Sequence, residues 1–347
     1  LQMIRSQIDA LDQWGMVDRN AGVHLIGHSE NSEVIELLRA AACHIAPKSM
    51  VRIQKLSKLY TPIRLEPVKP VHSVSDKDSV NIHMGRFDEG SFTVTEPPKL
   101  PWCHVLSNPA FGTLVSDKSL GFTWAVNARE NKLTPWSNDT MTDNQGELLI
   151  VRLNGEYYNL IDGAEATFSM NEAVYSGSFQ NIRARTRVSV RQKSMCKQIE
   201  VELENCSDRQ VTAECAYYLE PVLGVDRQHA KYLVSAFEHN SLTFTNRFWQ
   251  TMPNYMRLSA DTESRPIRNR SDFWSGRWNQ DEEAAAYDPC GVLIVKKELP
   301  PRRKEKISFT LSYSAAPKAL ETLSTIAGED FRTQNHLQIQ TPDQLLD

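Results

Sequence analysis

Ile199-Glu200-Val201-Glu202-Leu203-Glu204-Asn205-Cys206-Ser207-Asp208-Arg209-Gln210-Val211-Thr212-Ala213-Glu214-Cys215-Ala216-Tyr217-Tyr218-Leu219 reads as two strands joined by a turn. Ile199, Val201 and Leu203 alternate with glutamates, the period of two expected for a strand with one dry and one wet face. Asn205 to Arg209 carry turn chemistry, after which Val211, Ala213, Cys215, Tyr217 and Leu219 resume the alternation. The period recurs on both sides. Phe92 and Val94 alternate before Pro97-Pro98, and Gly112 to Val115 and Gly121 to Trp124 flank Asp117-Lys118-Ser119 in a hairpin pattern. Val292 and Ile294 run toward Pro300-Pro301, beyond which Ile307, Phe309, Leu311 and Tyr313 share a side.

Many short strands with one apolar and one charged face predict antiparallel sheets. Strands do not alternate with long helices, which excludes a parallel doubly wound sheet. The strand-rich region, residues 80–318, is too long for a small sandwich and predicts a mainly β, enlarged two-sheet sandwich. A short helical segment is expected ahead of it. Ile4, Ile8 and Leu11 recur at helical spacing up to Gly15. Val34, Ile35, Leu37, Leu38, Ala41 and Ala42 line a face between Ser32 and Pro47, and Met50, Ile53, Leu56 and Leu59 suggest a third stretch. Pro62, Pro67 and Pro70 then mark an extended connector. The expected organisation is a helical segment at 1–60, a connector at 61–79, the sandwich at 80–318 and the lead into a further domain at 319–347.

Composition narrows the function. The 39 basic and 43 acidic side chains give a net charge of −4 with the signs interspersed, so no basic face for nucleic acid is expected. No run approaches the roughly 18 to 20 apolar residues of a membrane helix, so no membrane partner is expected. The opening Leu1-Gln2-Met3-Ile4-Arg5-Ser6 has no signal-peptide pattern and reads as the internal start of a fragment. The six cysteines (Cys43, Cys103, Cys196, Cys206, Cys215 and Cys290) form no CxxC pair. They read as free, packed thiols in a reducing bacterial cytoplasm.

The chemistry concentrates in Asn127-Ala128-Arg129-Glu130-Asn131-Lys132-Leu133-Thr134-Pro135-Trp136-Ser137-Asn138-Asp139, the loop after the 112–124 hairpin. Amides, a guanidinium and a carboxylate beside an aromatic plate suit sugar hydroxyls and the apolar face of a pyranose. The bland alternative is a capped loop whose polar groups satisfy the backbone.

This stretch resembles the sandwich domain of glycoside hydrolase family 94, the inverting disaccharide and oligosaccharide phosphorylases. The run at 129–139 is most similar to the β-1,2-glucan branch, 1,2-β-oligoglucan phosphorylase and the corresponding module of cyclic β-1,2-glucan synthase. Met84 to Thr95, Pro101-Trp102, Tyr218 to Gly224, Tyr287-Asp288-Pro289-Cys290 and Thr341-Pro342-Asp343 resemble further landmarks in order, with Pro221 departing from the branch's usual pattern. The resemblance implies a galactose-mutarotase-like super-sandwich followed by an (α/α)6 barrel. That barrel would carry the catalytic Asp, so no catalytic residue is assigned within this chain.

Inorganic phosphate would be the co-substrate, a β-glucan oligosaccharide the ligand, and no cofactor or metal is implied. The substrate-facing residues would be Arg129, Asn131, Thr134, Trp136, Asn138, Asp139, Arg227 and His229. Arg227, in Gly224-Val225-Asp226-Arg227-Gln228-His229, matches an arginine that shapes the substrate and phosphate pocket in relatives. Its alternative is local pairing with Asp226 or Glu220. The same resemblance leaves open a stand-alone carbohydrate-binding module and a structural module of a cyclic glucan synthase.

Other candidates are weaker. His24 and His28 have a chelating spacing, but Gly22 and Gly27 argue against a helix and no third ligand is evident. Trp274 and Trp278 are a possible sugar platform, against the commoner fate of large aromatics as core. No nucleophile elbow, GxGxxG or P-loop is present.

Overall fold

A computed structural model describes residues 62–74, 79–88, 90–136, 146–248, 254–279 and 288–316. The expected helical segment at 1–60, His24 and His28, and residues 319–347 lie outside these.

The described residues form a mainly β, antiparallel two-sheet sandwich with a small third sheet at one end, as the alternation predicts. A six-stranded sheet has the order Leu65–Pro67, Glu156–Asn159, Glu147–Leu153, Val211–Leu219, Pro289–Leu299 and Ser264–Asn269. The second sheet is 12-stranded. Its centre is Glu172–Phe179, Ile182–Val190, Cys196–Asn205 and Lys304–Ser314, and its edges are Leu233–Glu238 and Val80–Ile82. The two halves of the opening stretch belong to different sheets: Cys196–Asn205 to the larger, Val211–Leu219 to the smaller. Asn205 holds the turn, its amide donating to the carbonyls of Arg209 (2.7 Å) and Leu299 (2.9 Å).

The core lies between the sheets. Leu149, Val151, Cys215, Tyr217, Leu219, Leu293 and Val295 face Ile199, Val201, Leu203, Ile307, Phe309 and Leu311, all essentially inaccessible to solvent. Gly291 lets the sheets close. A Cβ there would sit 2.9 Å from both Leu219 Cδ1 and Phe244 Cε2, tighter than packed side chains tolerate.

The sequence pattern suggests a wet reverse face for every strand. The larger sheet conforms, with Arg183, Arg185 and Arg187 registering against Glu204, Glu202 and Glu200 across it. The six-stranded sheet does not. Its reverse face carries Leu148, Ile150, Ala216, Tyr218, Val292 and Ile294 in a second core, roofed by Phe273 and Trp278. Phe273 lies in the short helix Arg270–Trp274, capped by the Asn269 side chain. The 61–79 stretch, expected as extended, supplies Leu65–Pro67, parallel to Glu156–Asn159, and Lys69–Pro70, antiparallel to Glu172–Phe179.

The third sheet comprises Cys103–Asn108, Phe111–Ser116 and Phe122–Ala125. The Phe111–Ser116 and Phe122–Ala125 pairing is the hairpin the sequence predicts. A wholly buried ion pair joins this sheet to the other two. Lys197 Nζ donates to Glu147 Oε2 at 2.7 Å, to Thr113 Oγ1 at 3.0 Å and to the Leu120 carbonyl at 3.1 Å. Both charged side chains are 0% exposed. Glu147 also accepts hydroxyl protons from Tyr217 (2.5 Å), Thr123 (2.6 Å) and Thr134 (2.7 Å). Burial lowers the Lys197 pKa and Glu147 opposes that shift.

Candidate functional site: a polar rim beside the third sheet

The rim begins where Phe122–Ala125 ends. Val126 takes a left-handed conformation (φ 64°), its amide donating to the Ala110 carbonyl at 2.7 Å. Asn127 then organises a tight turn. Its side-chain oxygen accepts the amides of Arg129 (2.8 Å) and Glu130 (3.0 Å), the self-capping geometry that suits asparagine to turns. Asn131 is occupied locally, its side-chain amide donating to the Ala125 carbonyl at 3.1 Å. Arg129 projects outward with its side chain 88% exposed and Glu130 beside it at 3.3 Å.

The loop returns along the 222–225 segment. Lys132 and Gly224 form an antiparallel bridge, Lys132 N donating to Gly224 O at 2.8 Å and Gly224 N to Lys132 O at 3.1 Å. Val222 N donates to Leu133 O at 2.9 Å, and Lys132 Nζ reaches the Val225 carbonyl at 2.9 Å. Thus the structure brings together the two segments singled out in the sequence, about 90 residues apart.

Individual residues fare differently. Thr134 is 0% exposed and offers no surface to a sugar. Its hydroxyl donates to Glu147 and accepts the Thr123 amide at 2.8 Å. Trp136 is half-buried and stacks on Phe122, centroids 4.4 Å apart and planes 10° apart. Asn138 and Asp139 lie outside the described residues. His229 stacks on Phe248 at 3.9 Å, and Phe248 also meets Tyr232. Trp278 is 1% exposed and Trp274 donates from Nε1 to the Tyr218 hydroxyl at 3.3 Å, so this pair is packing rather than platform.

Arg227 sits in an ion-pair network. It contacts Glu220 at 3.0 Å and Asp288 at 2.6 Å and donates to the Pro289 carbonyl at 3.2 Å. Arg270 engages the same two carboxylates, at 2.9 Å and 3.4 Å. Asp226, the other local partner the sequence suggests, instead caps the Gln228 amide at 2.8 Å. Tyr218 donates to Glu220 at 2.8 Å. Burial works against the Arg270 charge, but Glu220, Tyr218 and Asp288 outweigh it and raise the guanidinium pKa. Burial, with Glu220 adding to it, raises the Tyr218 pKa.

Two guanidinium groups face two carboxylates, so the network is close to charge-neutral. Arg270 and Asp288 were not legible as its members, because nothing local in the sequence links them to Glu220. The Asp288-Pro289-Cys290 landmark was the one signal available.

Comparison with known proteins follows this architecture. The profile of the glycosyl hydrolase 94 supersandwich domain matches residues 91–328. The cyclic β-(1,2)-glucan synthase NdvB of Rhizobium meliloti (strain 1021) is 44% identical over 52 residues, 15% of this chain and 2% of that protein. A protein assigned as a kojibiose phosphorylase from the human microbiome has 10% identity and a TM-score of 0.42, over 70% of this chain and 35% of its own. A protein assigned as an aldose 1-epimerase from Escherichia coli K12 has 9% identity and a TM-score of 0.39, over 62% of this chain and 99% of its own. The chain therefore spans a small part of its curated relative. It belongs to the glycosyl hydrolase 94 supersandwich-domain family.

Proposed function

We propose that this chain is the sugar-facing accessory domain of a bacterial cytoplasmic phosphorylase acting on β-1,2-glucan. In the whole protein, a phosphate oxygen would form a bond to the anomeric carbon as the bond to the glycosidic oxygen breaks. A carboxylic acid would protonate the departing oxygen, releasing α-glucose 1-phosphate with inversion. Phosphate is already a nucleophilic anion, so one acid suffices and no second carboxylate is needed to activate water. That acid belongs to a helical barrel of the same protein.

The observation that carries this reading is the join between 127–136 and 222–225. The loop held by that join carries an exposed guanidinium at Arg129 and a half-buried, stacked tryptophan at Trp136, residue types that bind a sugar's hydroxyls and its apolar face. The carboxylates of the rim and its neighbours are already partnered, which supports a binding rather than a proton-donating role: Glu130 stands beside Arg129, Asp226 caps the Gln228 amide, Glu147 is paired with Lys197, and Glu220 and Asp288 with two arginines. The segment similar to a cyclic β-(1,2)-glucan synthase favours a second reading, the same rim serving as a glucan-holding module in a synthase.

Calorimetric titration with linear β-1,2-glucan tests both. Binding is expected, and Arg129→Ala is expected to weaken it about tenfold, the worth of one charge-assisted hydrogen bond. Equal affinity for laminarin, or affinity indifferent to Arg129→Ala and Trp136→Ala, would overturn the rim assignment. Phosphate release from glucose 1-phosphate by this chain alone, with sophorose as acceptor, would overturn the accessory role.

A further inference from the structure

We infer that the Lys197–Glu147 pair is the positioning device of the rim, acting through the Thr134 hydroxyl. This rests on the sugar-facing reading of the rim and names what holds the rim in place.

Stability alone is a poor reason for the pair. Taking an ammonium and a carboxylate wholly out of water is so costly that apolar replacements of similar volume are often neutral or stabilising. What the pair provides is geometry. Its ligands come from all three sheets and from the loop itself: Glu147 and Tyr217 from the six-stranded sheet, Lys197 from the larger sheet, Thr113 and Thr123 from the third sheet, and Thr134 from the loop.

The proton accounting closes. The three ammonium protons go to Glu147, Thr113 and Leu120 O. Glu147 Oε1 accepts from Thr123 and Thr134, and Oε2 from Lys197 and Tyr217. Thr113 passes its own proton to the Phe122 carbonyl at 3.0 Å. A buried network with every donor and acceptor used has one low-energy arrangement and defines position sharply.

Thr134 is the point at which that rigidity reaches the rim. Its hydroxyl is held twice, by Glu147 at 2.7 Å and by the Thr123 amide at 2.8 Å. On one side of it stand Leu133 and Lys132, whose backbones hold Val222 and Gly224. On the other stands Trp136 on Phe122. A loop that needed only to be buried would not require a hydroxyl at 134; valine fills the same volume. The hydroxyl is the sole side-chain link between the rim loop and the ion pair among the described residues.

The test compares Thr134→Val, Thr134→Ser and Val201→Ala in the full chain. Val201 is a core residue on Cys196–Asn205 with no polar contact to the rim, and it serves as a control for general loss of stability. Hydrogen–deuterium exchange is read on peptides covering 125–136 and 222–226, and affinity is read for linear β-1,2-glucan. Thr134→Val is expected to speed exchange in both peptides about ten- to hundredfold, the factor carried by one hydrogen bond to a charged group. It is also expected to weaken glucan binding. Thr134→Ser is expected to restore both, and Val201→Ala to lower the melting temperature while leaving rim exchange unchanged. Rim exchange unaltered in Thr134→Val, or no rescue by serine, would overturn the inference. If the unaltered chain binds no glucan, the sugar-facing reading fails while the exchange data still decide the positioning role.

Discussion

Replacing Glu147 by glutamine keeps the shape of the hub and removes its negative charge. Lys197 then remains wholly buried, with Thr113, Leu120 O and a neutral amide as its surroundings. Breaking one side of a buried ion pair typically costs about 3–5 kcal/mol, because an uncompensated charge stays in a poor solvent. At about 2–4 °C per kcal/mol for a domain of this size, the melting temperature is expected to fall by about 6–20 °C.

The deficit has a definite pH dependence. Burial already lowers the Lys197 pKa, and Glu147 is the group opposing that shift, so its loss lowers the value further. In the unfolded chain lysine titrates near about 10.4. Between the two values the unfolded state binds the extra proton, so the variant's stability rises with pH, by up to about 1.4 kcal/mol per pH unit. The gap to the parent protein is therefore expected to narrow between pH 7 and pH 9.5 in urea unfolding. The double variant Glu147→Gln/Lys197→Met, which leaves no charge behind, is expected to recover most of the loss. A loss under about 1 kcal/mol in the single variant, or a gap that widens with pH, would refute this account of a dry, mutually dependent pair.

Other expectations follow from contacts elsewhere. Gly112→Ala would place a Cβ 2.3 Å from Cζ2 of Trp124, which lies against the glycine across the hairpin. The ring must move, at about 1–3 kcal/mol, with a change in tryptophan emission as the readout. Arg227→Ala and Arg270→Ala each leave Glu220 one guanidinium, whereas the double variant strands a nearly buried carboxylate. Chemical denaturation is expected to show the double loss exceeding the sum of the singles. Iodoacetamide at pH 8 is expected to label exposed Cys103 well before buried Cys196, Cys215 and Cys290, judged by mass spectrometry of the folded chain. Burial pushes the Cys196 thiol up to about 12 and raises Cys215 and Cys290 as well.

The larger sheet was legible because its strands obey the simplest rule available. Ile199, Val201 and Leu203 go in, and Glu200, Glu202 and Glu204 go out to meet a row of arginines. The smaller sheet was only half legible. Val211 to Leu219 alternates as expected on one face, but Ala216 and Tyr218 are buried on the other. The roof over them is a helix of five residues, too short to leave a helical period in the sequence. The hub was legible only as two charges out of place. The alternation puts Lys197 in phase with Ile199, Val201 and Leu203, and Glu147 in phase with Leu149 and Val151, on the dry faces, but the two charges stand 50 residues apart and nothing local pairs them.

The same difficulty explains why the polar rim is narrower than its composition implies. Asparagine, threonine and serine are chosen for turns because their side chains satisfy the backbone, and the same groups satisfy sugar hydroxyls, so residue type cannot separate the two uses. Structure separates them by occupancy. Asn127 is spent on two amides, Asn131 on Ala125, Thr134 on Glu147, and Arg227 on two carboxylates. Among the described residues singled out in the 127–136 loop, the guanidinium of Arg129 and the uncovered part of Trp136 keep their capacity for a ligand. Affinity should therefore depend steeply on those two side chains and little on the asparagines between them. An alanine scan of the loop in which Asn131 mattered as much as Arg129 would mean that the loop rearranges around its ligand instead of receiving it preformed.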